Sequence, residues 1–176
     1  MKRIVFIACL LLSCLAMHGV VTTSHVFNST DPANKIVSFA DNYKQATMTD
    51  ETLYTCSEGA SFANVSGICI DIPRNGVVVV SPARQGLRSF TVTHNSLLGG
   101  ANMSVEISTD NVTYTAIPEG QLNRQSTFVE ASGLSGDYYI RLTNTYTPNT
   151  HIYVTIMDYQ TEPEPESCRC LRVVVN

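Results

Sequence analysis

Polar and apolar residues alternate along most of this chain with a period of two. In "MSVEIS", Met103, Val105 and Ile107 fall on one side and Ser104 and Glu106 on the other. "LRSFTVTH" sets Phe90 and Val92 against Thr91 and Thr93. Successive strand side chains point to opposite faces, so each stretch reads as a half-buried β-strand. "VVVVS" is apolar on both sides and reads as a central strand covered on both faces. "KIVSFA", "TLYTC", "ICIDI", "STFVEA", "DYYIRLTN" and "HIYVTIMDY" add further strands, and Val112 and Tyr114 continue the alternation in "VTYTAI". Between them lies turn chemistry: "RNG", "PARQG", "TDN" and Pro118-Glu119-Gly120. "DNYKQATMTDE" has a weak helical look without an apolar face, and "NSLLGGAN" reads as a loop. Short strands at regular spacing, with no helical pattern separating them, predict an all-β fold: an antiparallel β-sandwich, jelly-roll-like.

The last two strands raise the functional question. Tyr138, Ile140 and Leu142 form the apolar set of one, and Ile152, Val154 and Ile156 that of the other. Opposite them lie Tyr139, Arg141 and Thr143, then His151, Tyr153, Thr155 and Met157. If these strands pair as a hairpin, Tyr139, Arg141, His151 and Tyr153 share one face and form the predicted ligand-binding surface. Two tyrosines and a guanidinium can stack on sugar rings and hydrogen-bond their hydroxyls. The competing reading is a solvated sheet face, or one covered by the N-terminal leader. The chain has no Trp, whose indole offers the broadest stacking surface for sugars.

The ends have a different composition. Lys2 and Arg3 precede a short apolar run to Met17, and Ala16 and Gly19 offer cleavage positions, so residues 1–19 read as a secretory signal peptide. Leu11-Leu12-Ser13-Cys14 is also a loose lipobox, which would make Cys14 a lipid anchor. Residues 20–34 read as a leader, 35–160 as the sandwich and 161–167 as an exposed Pro/Glu linker. The tail, residues 168–176, reads as the opening of a second domain, or as an edge or swapped strand. The expected location is secreted or at the cell surface, with no transmembrane segment once the signal is removed.

Charge removes one class of partner. The formal net charge is −4, and loss of Lys2 and Arg3 makes the rest two charges more negative. With no cluster of Lys and Arg, nucleic acid is not an expected partner. Cys56 and Cys69 enclose "CSEGASFANVSGIC" and predict a disulfide in an oxidising compartment, closing a loop of about 14 residues worth about 3 kcal/mol. The alternative is two buried thiols. Cys168 and Cys170 stand too close together for an easy internal bridge.

Candidate chemistry is sparse. There is no nucleophile elbow, phosphate-binding glycine loop or metalloprotease motif. His18, His25, His94 and His151 are isolated in sequence, and Asp71, Glu106, Asp110, Glu119, Glu130 and Asp137 are scattered. No catalytic role, metal centre or cofactor is expected. Calcium is the one ion with a conceivable site, through Asp110, Asn111 or Asp137. Sequons at Asn28, Asn64, Asn102 and Asn111 suggest exposed positions.

"VEISTDNVTYTAI" resembles the strand–turn–strand pattern V-x-x-S-x-D-G-x-x-[YW]-x-x-I of galactose-binding-like, discoidin-type and carbohydrate-binding-module-type jelly rolls. Asn111 stands where that pattern has Gly, and Tyr114 where Trp is frequent. "GDYYIRLTN" with "IYVTIMDY" is similar to the final strand pair of small β-sandwich domains of secreted bacterial proteins, often of Bacteroidetes type. The resemblance implies a jelly-roll sandwich that binds polysaccharide or a cell-surface glycan without catalysis, as a module of a larger exported protein. A structural or adhesive surface domain without a small ligand is the alternative.

Overall fold

The structure, a computed structural model, describes residues 19–163 except 66, 97–98 and 147–149, and leaves aside the side chains of 82–85 and 99. The signal segment up to His18, Cys14, most of the linker, Cys168 and Cys170 lie outside the described residues.

Thirteen strands form an antiparallel β-sandwich in which the 18-residue strand β7 (Val77–His94) belongs to both layers. In the first layer the order is β2 (Ile36–Ala40), β3 (Gln45–Met48), β4 (Leu53–Ser57), the first half of β7, β12 (Gly136–Asn144), β8 (Met103–Ser108) and β9 (Thr115–Ala116). In the second, β10 (Leu122–Arg124) and β11 (Phe128–Ala131) lead to the second half of β7, then to β13 (Ile152–Thr161). Beyond β13, β6 (Ile68–Ile72) pairs with its first half and β1 (Val21–Val26) with its second, and β5 (Ser61–Asn64) lies outside β6. One helical turn, Gly99–Asn102, precedes β8.

Burial follows the predicted alternation in the centre of the sandwich. Val78, Val80, Leu87, Phe90 and Val92 of β7 share one buried core with Ile140 and Leu142, Ile152 and Val154, and Met103 and Val105. β-branched and aromatic side chains suit this pleated, half-buried setting. Val77 and Val79 point the other way and are only half-buried, so β7 is not covered on both faces as predicted. The turn before β7 forms as the sequence implies. Asn75 takes φ 62°, and a Cβ on Gly76 would come within 2.9 Å of the Pro73 carbonyl oxygen, so only glycine fits there. Asn144, fully buried, donates to the carbonyls of Ile72 (2.9 Å) and Thr150 (2.6 Å) and accepts from the Tyr146 amide (3.0 Å), tying the β12–β13 connection to the core.

Several expectations are corrected. Residues 21–26, read as leader, are a strand of the sandwich, and His25 and Phe27 are core residues. "DNYKQATMTDE" is a turn followed by β3, not a helix. Val112 is 80% exposed in a turn, so the second half of "VEISTDNVTYTAI" is not an alternating strand. "PARQG" does not break β7. In β13 a bulge falls between Val154 and Ile156. The extra residue flips the alternation, so Met157 and Tyr159 are buried and Ile156 is not.

The predicted disulfide is also corrected. β4 places Cys56 opposite Val78, and the β5–β6 hairpin places Cys69 opposite Ala63, on strands of different layers that do not pair with each other. Both are free, buried thiols, and Cys69 Sγ donates to the Ala63 carbonyl at 3.6 Å. Burial pushes the Cys56 thiol up to about 12 and raises that of Cys69 as well.

Candidate ligand site

The four residues predicted to share a face are separated into two pairs. β12 and β13 do not pair with each other, because β7 lies between them and bonds each with a different part of its length. Tyr139 and Arg141 therefore lie on the outer face of the first layer, beside β8. There Arg141 Nε donates to Glu106 Oε2 at 2.7 Å, and its Cζ sits 4.0 Å from the Tyr114 ring centroid. The Glu106 hydrogen bond raises the guanidinium pKa further.

His151 and Tyr153 lie on the second layer, beside β6. Their rings stack at 5.9 Å and 22°, and His151 Nδ1 is 2.6 Å from Asp71 Oδ1. Partial burial, then the neighbouring Asp71 and Cys69, raise the Tyr153 hydroxyl.

The oxygens considered for calcium are engaged within the protein. Asp110 Oδ1 accepts from the Val112 and Thr113 amides and from Ser108 Oγ, each at 2.8 Å. Those donors, the Thr113 amide first, hold its carboxyl down at about 2. Asn111 takes φ 59°, the left-handed conformation that suits a glycine, and its Oδ1 accepts from Tyr114. Asp137 Oδ1 accepts from the Gly86 amide at 2.8 Å. The motif that carries the jelly-roll resemblance thus shapes a turn. Among the described residues no three His, Cys, Asp or Glu side chains gather as a metal site.

A site that the sequence reading missed opens between the edge strands β2 and β5. Phe39, Tyr43, Phe62, Ala63, Asn64 and Ile68 line a cleft of about 370 Å³. Its floor is Phe39 packed edge-on against Phe62 (5.5 Å, 67°). Above it stands Tyr43, tilted on Phe39 (5.1 Å, 53°) and 59% exposed. The backbone at this tyrosine is unusual. Asp41, Asn42 and Tyr43 take φ 48°, 51° and 64° in succession. Asp and Asn visit the left-handed region readily; a bulky aromatic does so only when its surroundings hold it there, at a cost of about 1–3 kcal/mol. The holding contacts are backbone hydrogen bonds: Phe62 N to Tyr43 O at 2.8 Å, Cys56 N to Lys44 O at 2.7 Å and Lys44 N to Asp41 O at 3.1 Å.

These rings end a ladder that starts inside the protein. Tyr159 and Tyr54 each pack edge-on against His25, Phe27 touches Tyr54 and Phe62, and Phe62 touches Phe39. The signal for the cleft was present in "FADNY": two aromatics flanking an Asp-Asn turn. The weak helical look of the stretch concealed it.

No family model matches the chain, and no curated protein matches it. A solved structure does align with it. CBM32-1 from a family 31 glycoside hydrolase from Clostridium perfringens has 10% identity and a TM-score of 0.34, and the alignment covers 78% of this chain and 93% of that one. Among the described residues no helix is long and apolar enough to cross a membrane.

Proposed function

We propose that this protein is an exported, non-catalytic β-sandwich module that binds carbohydrate in the cleft of Phe39, Tyr43 and Phe62. One observation carries the reading: an aromatic ring is held exposed, in a backbone conformation that disfavours it, over an apolar floor. Strain of this kind marks functional positions, because packing alone would not select it. Large exposed aromatics over a concavity mark ligand surfaces. The C–H face of a pyranose is apolar and its rim is hydroxylated. Tyr43 and Phe39 offer rings to the first, and Asn64 and the Tyr43 hydroxyl offer hydrogen bonds to the second.

Export is supported by the basic and apolar pattern of the first 19 residues, with Cys14 as a lipid anchor where the lipobox is used. Membership of a larger exported protein belongs to the same proposal. The test is a glycan array probed with the protein and with its Tyr43→Ala variant. Binding of one or more glycans by the parent, lost or weakened in the variant while Tyr153→Ala retains it, supports the cleft. No glycan bound by the parent would overturn the carbohydrate reading and leave the adhesive one.

A further inference from the structure

We propose that the outer face of β8 and β12 carries a second saccharide subsite, which takes a neutral pyranoside through two adjacent hydroxyls. It rests on the carbohydrate reading for its ligand class and on its own geometry for its place. The Phe39–Tyr43 cleft belongs to the β2 end of the first layer. Arg141 lies on β12, which β4 and β7 separate from β3, so three strand spacings of about 4.8 Å, roughly 14 Å, lie between β3 and β12.

Arg141 is fixed on two sides. Its guanidinium stacks on Tyr114 at 4.0 Å, and its Nε is bonded to Glu106 at 2.7 Å in the register that sets Arg141 opposite Glu106. The two side chains are 32% and 20% exposed. Neither Nη atom has a hydrogen-bond partner among the described residues, so that edge of the fork remains for a ligand. A partly exposed ion pair of this kind contributes little, about 1 kcal/mol, so stability alone gives little reason for this arrangement. A planar fork with its χ angles already set, beside a carboxylate, is suited to vicinal hydroxyls. The Nη edge donates two parallel N–H hydrogen bonds to adjacent oxygens, and Glu106 Oε1 accepts a hydrogen bond from a hydroxyl. Tyr139, two residues before Arg141 on the same strand face, stands beside the fork as a ring for the sugar's C–H face. The Glu106 charge offsets that of Arg141, which selects against an anionic sugar.

The test is an amide-shift titration of the 15N-labelled protein with methyl galactoside, methyl mannoside, methyl glucoside and sodium glucuronate. At least one neutral glycoside should shift residues 104–108 and 139–143. Arg141→Lys keeps the charge and loses the fork. It should weaken that response about tenfold or more. Tyr139→Ala should weaken it too, and shifts at 39–43 and 62–64 should persist in both variants. Unmoved amides on β8 and β12 in the parent, an unchanged response in Arg141→Lys, or a response to glucuronate alone would each overturn the subsite. Shifts confined to the cleft overturn this proposal and leave the function standing. Shifts confined to β8 and β12 support the subsite and remove the cleft.

Discussion

The ring ladder has two ends that differ in one respect, closure. At the inner end, His25 lies between Tyr54 and Asp50: Nδ1 is 2.7 Å from the Tyr54 hydroxyl and Nε2 is 3.0 Å from Asp50 Oδ2. Tyr54 and Tyr159 join hydroxyls at 2.5 Å. Those three rings are at most 1% exposed, and the network ties β1 to both layers. At the outer end, Phe39 packs edge-on against Phe62 and Tyr43 tilts onto Phe39, but no layer closes over them. On the proposed function, the same aromatic chemistry serves cohesion where both sheets cover it and recognition where the edge strands part. Burial and strain separate the two roles, and residue type does not.

The largest effect should separate the ends outright. Phe27→Ala removes a ring that touches both Tyr54 and Phe62, and should destabilise the protein by about 3–5 kcal/mol in urea unfolding. Tyr43→Ala should stay within about 0.5 kcal/mol of the parent. Equal losses in the two variants would erase the distinction between them.

Acid offers a second contrast within the interior. His25 is hydrogen-bonded, whereas His94, 2% exposed, finds no partner for either ring nitrogen among the described residues. Burial lowers the His94 pKa, and the Ser96 backbone opposes this only in part. Below the unfolded value of about 6.5 the unfolded chain therefore binds a proton that the folded chain resists. The stability that His94 contributes is complete above that pH and falls as the pH drops towards its folded pKa. Urea midpoints at pH 7.5 and 5.5 should show the decline, and His94→Leu should reduce it. An identical decline in the variant would move the cause elsewhere.

A smaller effect probes strain at the open end. Glycine accepts φ 64° without penalty, so Tyr43→Gly should leave stability unchanged or raise it by up to about 1 kcal/mol while abolishing ligand binding in the cleft. A clear loss of stability would mean that Tyr43 acts as a core residue. The smallest expected effect is none. Reductant should not shift the melting temperature, because Cys56 and Cys69 are thiols; a fall would restore the bridge.

The sandwich was legible because alternation survives wherever two sheets face one core. Phe90, Val92, Met103, Val105, Ile140 and Leu142 all fall where the pattern puts them. The bulge in β13 was not legible, since an inserted residue leaves Ile156 and Met157 equally apolar in sequence. It moved only the second half of the strand, and left Tyr153 outward. The shared platform failed for a topological reason. Adjacent strands in sequence pair as hairpins often, but here the long β7 carries β12 on one half and β13 on the other. Local pattern carries no information about that choice. The cleft went unread because its polar turn and its aromatics come from β2 and β5, distant edges whose approach only the fold reveals.

The central claim, that Tyr43 is a ligand platform, has a direct measurement. The chain contains no Trp, so Tyr43→Trp places a single indole reporter at the mouth of the cleft. Titration with the glycan found on the array should give a saturable change in its emission, with affinity at least equal to that of the parent, because indole is the larger stacking surface. Emission that stays constant while the same glycan still binds by calorimetry would contradict the account.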